Sequence, residues 1–221
     1  MPKQNTLTNK QKLFLKLLSH NPEIAGRFYL TGGTALTAYY IPYRRSEDLD
    51  FFSEKEIETK AIIVFFKSIQ SKLDYKRMEI NTSFNRNLFF LNFRNSSLKV
   101  EFTYFPFPPI EKPQVYNDIR VNSVLDIAVD KLFTVYQKPR SRDFMDLYMI
   151  GRNYGFSLDD LIKKARLKFD WNVDPIKLGS QFLLATELKD YPKLIKPLKE
   201  KDWHNYFLKE AKKLGEKILS K

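Results

Sequence analysis

The segment Pro106-Phe107-Pro108-Pro109-Ile110-Glu111-Lys112-Pro113 places four prolines in eight residues. Proline has no backbone N–H, so four ladder donors are lost and no central β-strand can run through this stretch. The apolar pattern also changes across it. Before it, alternation with period two dominates; after it, apolar residues recur at helical spacing. A seam near residue 115 is therefore expected, dividing a core at 1–115 from a helical domain at 116–221.

Within the first part, Thr8 with Gln11 three residues later has the form of a capping box opening a helix through Ser19. Phe28–Thr31 reads as a short strand, Gly32-Gly33 as a turn, Thr34–Ile41 as a helical run and Asp48–Phe52 as a second strand. Ser53 with Glu56 suggests another capping box, opening a helix through Leu73. Tyr75–Thr82, Leu88–Phe93 and Leu98–Phe105 follow as three strands separated by Ser/Asn-rich turns. Beyond the seam, helices are expected at Ser123–Tyr136, Arg142–Tyr154, Leu158–Lys168, Pro175–Leu188 and from Trp203 onward. The fold class is α+β: a mixed sheet with flanking helices, then a C-terminal helical bundle.

Composition narrows the chemistry. The 221 residues contain no cysteine and two histidines, His20 and His204. Disulfides, thiolate zinc sites and thiol nucleophiles are excluded, and little remains for an imidazole metal cage or a triad. The net charge is 38 − 26 = +12, with basic termini: Lys3, Lys10, Lys12 and Lys16 face no acid in residues 1–20, and residues 189–221 carry ten Lys against five acids. Such an excess suits a polyanionic partner, nucleic acid first, although a solvated Lys-rich surface has the same composition. The polar start and the lack of a long uncharged apolar run lead to the expectation of a cytoplasmic chain without membrane attachment.

Asp48 and Asp50 stand two apart on an expected strand, so both side chains point to one face, and Leu49 and Phe51 point to the other. Mg²⁺ prefers oxygen ligands and commonly takes one or two carboxylates, leaving its other positions to water and phosphates. The same pattern also occurs on any half-exposed strand. Gly32-Gly33-Thr34, between a strand and a helix, offers backbone N–H groups to phosphate oxygens, or is simply a tight turn. It is neither a P-loop nor a dinucleotide fingerprint. Glu101 lies on the polar side of Leu98–Tyr104. Beside the Asp48 strand it would complete a three-carboxylate set for in-line phosphoryl or nucleotidyl displacement, or act as a base; otherwise it is a solvated surface acid. Lys131, flanked by Ile127, Ala128 and Val135, emerges from a partly apolar helix face. Asp143 and Asp146 are one turn apart on the next helix, where Arg142 and Asp143 could equally end surface ion pairs.

Taken together, GGTAL (Gly32–Leu36), RRSEDLDFF (Arg44–Phe52), KVEF (Lys99–Phe102), DIAVDK (Asp126–Lys131) and RDFMDLY (Arg142–Tyr148) resemble the AbiEii/AbiGii-type nucleotidyltransferase toxins of the DNA polymerase β-like superfamily, over roughly residues 28–155. The resemblance implies a nucleotidyltransferase core followed by a helical domain. It also implies Mg²⁺-dependent transfer of a nucleoside monophosphate from a nucleoside triphosphate (NTP), to the 3′ end of tRNA in some members, and a separately encoded antitoxin as partner. By position, Gly32, Gly33 and Thr34 match the phosphate-side turn, Arg44 and Ser46 lead into the paired acids, and Asp48 and Asp50 match the metal ligands. Glu101 matches the third acid, Lys131 a lysine for the nucleotide phosphates and Asp146 a catalytic acid. The chain departs from the wider pattern in having Gly-Gly where Gly-Ser is usual, Glu101 where Asp is common and Tyr43 where a His often precedes the Arg. A toxin acting on RNA is thus the first expectation. A small-molecule acceptor such as an antibiotic, or a non-catalytic RNA-binding module, are the alternatives.

Overall fold

The computed structural model describes Thr6–Leu219; Lys3 and Lys221, part of the expected basic termini, lie outside the described residues. The described residues form two compact units: residues 6–40 with 45–123, and residues 41–44 with 124–219.

The first unit opens with α1 (Asn9–Ser19) and the short α2 (Pro22–Ala25). The Thr8 capping box is formed, with Thr8 and Gln11 each satisfying the other's backbone N–H. The chain continues through β1 (Tyr29–Thr31), α3 (Gly32–Ala35), a π-helical turn at Leu36–Tyr40, β2 (Leu49–Ser53) and α4 (Thr59–Leu73). Then come β3 (Arg77–Ser83), β4 (Arg86–Asn92), β5 (Ser97–Tyr104), β6 (Gln114–Tyr116) and β7 (Ile119–Val121). Among the described residues these strands make one mixed sheet of order β3-β4-β5-β2-β1-β7-β6. β2 runs parallel to β5 and β1 parallel to β7; the other pairs are antiparallel.

Alternation decides which face of the sheet is covered. Leu49 and Phe51 of β2, Phe89 and Leu91 of β4, and Val100 and Phe102 of β5 are all buried on one side. There they meet Phe14 of α1 and Phe66 of α4. Ring centroids stand 5.8 Å apart for Phe14–Phe66, 4.5 Å for Phe66–Phe89 and 5.1 Å for Phe51–Phe102. Each such side chain contributes roughly 1.5–3 kcal/mol on burial. The opposite face of β2 and β5 carries the polar residues.

Two expectations are corrected here. The helix expected from Ser53 begins at Thr59, because Ser53 closes β2: its hydroxyl accepts from the Lys55 N–H and donates to the Lys55 carbonyl. The seam does not fall at 115, because the chain returns to the sheet after the prolines. Asn117 and Asp118, both at positive φ (48° and 61°), form the two-residue turn of a β6–β7 hairpin. Such a turn requires positive φ at both central positions, and Asn and Asp tolerate it best after glycine. β7 then pairs with β1 through Leu30 and Val121, so the first unit extends to Ser123.

The second unit contains α5 (Val124–Gln137), α6 (Ser141–Tyr154), α7 (Leu158–Phe169), α8 (Pro175–Leu183), a 3₁₀ turn at Leu184–Thr186 and α9 (Glu200–Leu219). Gly155, at φ 72°, terminates α6, and the Ser157 side chain caps α7 by accepting from the Asp160 N–H. Trp203 and Phe207 of α9 pack on Phe144 of α6 and Phe182 of α8; the Phe207 centroid lies 4.8 Å from Phe144 and 5.3 Å from Phe182. Residues 41–44 belong to this unit through main-chain bonds, since the Tyr43 carbonyl accepts from the Ile195 and Lys196 N–H groups at 2.8 and 3.0 Å. No helix among the described residues is long and apolar enough to cross a membrane.

Candidate active site

The polar face of the first unit is built by strand register. Asp50 pairs with Glu101 across β2 and β5 and with Thr31 across β2 and β1. In-register neighbours share a face, and so do residues two apart on one strand, while Asp48, just before β2, reaches the same face through its bond with Lys99. Asp48, Asp50, Lys99, Glu101 and Thr103 therefore stand together, opposite the aromatic core.

The glycine turn meets these acids directly. Gly32 has φ 69°, and a Cβ placed on it would lie 2.6 Å from Asp50 Oδ2. Only glycine accommodates both the backbone and the carboxylate. The Thr34 hydroxyl, buried, donates to the main-chain carbonyl of Asp48. Gln11 braces the approach from α1: its side-chain amide donates to the carbonyls of Ser46 and Glu47, each at 3.0 Å. Asn122, after β7, ties in through its N–H to the Leu30 carbonyl (2.9 Å) and its side-chain amide to Thr31 Oγ1 (3.2 Å).

The acids differ in their surroundings. Glu101 is buried, and Arg86 of β4 grips it with two bonds of 2.7 Å while the Thr103 hydroxyl donates at 2.8 Å. Burial alone would raise the Glu101 carboxyl, but Arg86 and Thr103 outweigh it and hold it below its ordinary value. Asp48 has 30% side-chain exposure; its Oδ2 accepts from Lys99 Nζ at 3.1 Å, and the same ammonium lies 3.8 Å from Glu101 Oε2. The β2–β5 pairing sets Glu101 beside Asp50, as the three-carboxylate expectation requires, and here the Glu101 carboxylate is bonded to Arg86 and Thr103. Among the described residues no group of three or more His, Asp or Glu is arranged to hold a metal ion.

Lys131, Arg44 and Asp146 lie in the second unit and form one buried cluster there. Lys131 Nζ contacts Asp143 Oδ1 at 2.6 Å and Asp146 Oδ2 at 2.9 Å. Arg44 holds Asp146 with both prongs, Nε at 2.8 Å and Nη2 at 2.7 Å, and the Tyr43 hydroxyl donates to Asp146 at 2.6 Å. Arg140 completes the surroundings of Asp143 at 3.3 Å. Asp143 and Asp146 are fully buried, so desolvation opposes their ionisation, yet Arg44 and Lys131 hold the Asp146 carboxyl far below the usual range. Burial opposes the Lys131 ammonium, but the carboxylates of Asp143 and, next, Asp146 outweigh it and raise it above its ordinary value. Lys131 and Arg44, expected at the nucleotide, both bond carboxylates of this cluster here, and Arg44 Nε also donates to the Tyr43 hydroxyl at 3.2 Å. Asp143, left between chemistry and surface pairing by the sequence, is a full member. Sequence reasoning missed Lys99, Arg86, Thr103 and Gln11. Lys99 alternates with Glu101 on one strand and could have been found; Arg86 could not, since its reach depends on the β4–β5 register.

An Asp-x-Asp strand, a glycine strand-to-helix turn touching it, and a mixed sheet backed by helices define the core of a nucleotidyltransferase. The same fold is found in two crystal structures from Helicobacter pylori. JHP933 matches with a TM-score of 0.62 and 22% identity over 100% of this chain and 96% of that one. A protein described provisionally as a nucleotidyltransferase matches with a TM-score of 0.63 and 21% identity over 98% of each. An uncharacterised protein of Aquifex aeolicus (strain VF5) is 34% identical over 154 residues, 68% of this chain and 70% of that one. The family model for the nucleotidyl transferase AbiEii toxin of type IV toxin–antitoxin systems matches residues 16–217. The chain belongs to this AbiEii nucleotidyltransferase family.

Proposed function

We propose that the protein moves a nucleoside monophosphate from an NTP to an RNA acceptor, the 3′ end of tRNA being the acceptor class, as the toxin of a toxin–antitoxin pair. The observation that carries this reading is the close approach of Gly32 to Asp50, where a Cβ would lie 2.6 Å from the carboxylate, together with the bond of the Thr34 hydroxyl to the Asp48 main chain. It brings a phosphate-type turn and two acids to one place.

The donor set fits Mg²⁺: Asp48 and Asp50 present hard carboxylate oxygens on one face, and Asp48 already accepts a cationic ammonium from Lys99. Asp48 and Asp50 would hold the ion. When bound, Mg²⁺ supplies charge neutralisation on the triphosphate and in-line alignment of the α-phosphate. The amides of Gly32, Gly33 and Thr34 offer donors to phosphate oxygens, and Ser46 leads into this site. An acceptor hydroxyl attacks the α-phosphorus; the new P–O bond forms as the α–β bridging P–O bond breaks, and pyrophosphate leaves with that electron pair. Glu101, ionised at neutral pH, is the candidate for the acceptor proton or for a further metal contact, once Arg86 releases it. Arg44, Lys131 and Asp146 act within their own cluster, in which Asp146 is bonded by Tyr43, Arg44 and Lys131. The +12 charge supports a polyanionic acceptor over a small neutral one.

The test is incubation of the purified chain with each labelled NTP, Mg²⁺ and total RNA. Label on RNA with one or more bases, declining steeply with salt, is the expected result. Label on a small molecule with RNA untouched would replace RNA as acceptor, and no label with any base would end the reading.

A further inference from the structure

We propose that Lys99 is a built-in counter-ion at the acidic site, and that a divalent cation binding Asp48 competes with the Lys99 ammonium and displaces it. The inference rests on the reading of Asp48 and Asp50 as cation ligands.

The geometry is specific. Lys99 and Glu101 are two apart on β5 and share its polar face, and the pairing of Leu49 with Val100 sets Lys99 beside Asp48. The ammonium sits 3.1 Å from Asp48 Oδ2 and 3.8 Å from Glu101 Oε2. Arg86 already neutralises Glu101 through two bonds, so the Lys99 charge is matched chiefly to Asp48. Lys99 has 26% side-chain exposure, so most of its side chain is out of solvent. An ammonium is a compact point charge with three rotatable donors on a flexible stem, which suits it both to occupy a cation position and to leave it. A metal ion and an ammonium at contact distance on one carboxylate repel each other, so ion binding at Asp48 Oδ2 is favoured where the ammonium has moved off it. The displaced ammonium stays tethered within a few ångströms of the acids, where a triphosphate arriving with the metal would offer it new oxygens. Lys99 thereby links ion arrival to phosphate binding: the site is balanced before the ion comes, and the residue that balanced it becomes a phosphate contact afterwards.

The test uses the full chain and Mn²⁺ alone as probe, titrated with electron paramagnetic resonance of the free ion, on wild type, Lys99→Met, Lys99→Gln and Asp48→Asn, each checked by circular dichroism. Both Lys99 variants should bind Mn²⁺ about tenfold more tightly than wild type, the gain if the ammonium holds the position about nine-tenths of the time. That ratio should persist in 1 M KCl, where the Debye length of about 3 Å screens distant charge but not direct displacement. In wild type, the Lys99 side-chain resonance should shift on Mg²⁺ addition with the midpoint of ion binding, a readout that needs no variant. Equal or weaker Mn²⁺ binding by both Lys99 variants, a ratio that vanishes at high salt, or an unmoved resonance would overturn the inference. If Asp48→Asn alone weakens binding, only the Lys99 inference falls; if no variant, Asp48→Asn included, differs from wild type, the metal-ligand reading falls with it.

Discussion

Gly32→Ala separates the chemistry of the turn from its backbone cost. Gly32 sits at φ 69°, where an L-residue is disfavoured by about 1–2 kcal/mol. The added methyl would also stand 2.6 Å from Asp50 Oδ2, against 3.4 Å for an ordinary contact, so the carboxylate must retreat by 3.4 − 2.6 = 0.8 Å. A displacement near 1 Å of a positioning group can cost about 10²-fold in rate. Gly155→Ala is the matched control: it has φ 72° and nothing within 4 Å of the new methyl. Both variants should lose about 1–2 kcal/mol, a fall of roughly 2–8 °C in the calorimetric melt of a chain this size. Only Gly32→Ala should also lose nucleotidyl transfer by about 10²-fold at a temperature where both are folded. Equal transfer by the two variants would refute the claim that the turn and Asp50 form one site.

The remaining predictions concern the buried charges and the brace. Lys131→Met leaves Asp143 and Asp146 buried with one cation fewer, and should cost about 3–5 kcal/mol in denaturant melts. Because Asp146 is held below its unfolded value, its contribution is present above about pH 4 and lost as pH falls further; Asp146→Asn should remove that acid dependence, seen in melts between about pH 2 and 5. Asp130 has the opposite sign. In a cluster where Lys168 Nζ meets Asp126 at 2.8 Å and Asp130 at 2.7 Å, burial pushes the Asp130 carboxyl up to about 6. Its contribution is present below about pH 4 and lost as pH rises through 6, so wild type should lose stability across that window and Asp130→Asn should not. Gln11→Ala strips bonds from the Ser46 and Glu47 carbonyls and should cost about 1–3 kcal/mol, read by thermal melt, with transfer reduced beyond the loss of folded protein.

The features legible in the sequence are those set by neighbours along the chain. The Thr8 cap, the strand–glycine–helix–strand order from Phe28 to Phe52 and the alternation at Glu101 all depend on a few consecutive residues. Asp48 and Asp50 share a face because strand period alone dictates it. Features that depend on distant pairing were not legible. The Arg86 grip on Glu101 needs the β4–β5 register, and the match of Asp50 to Glu101 needs a parallel pairing across α4, β3 and β4. The charge cluster is similar: Asp143 and Asp146 announce one helix face, but Arg44 arrives from 102 residues away. The β6–β7 hairpin was hidden by the prolines before it, although Asn117-Asp118 carried its turn chemistry.

The most direct measurement is transfer of label from an α-³²P-labelled NTP to RNA, with Mg²⁺, by wild type and by Asp48→Asn and Asp50→Asn at matched folded concentration. Labelled RNA from wild type and none above background from either variant is the expected result. Transfer by either variant at the wild-type rate would contradict the claim that this strand holds the ion on which the reaction depends.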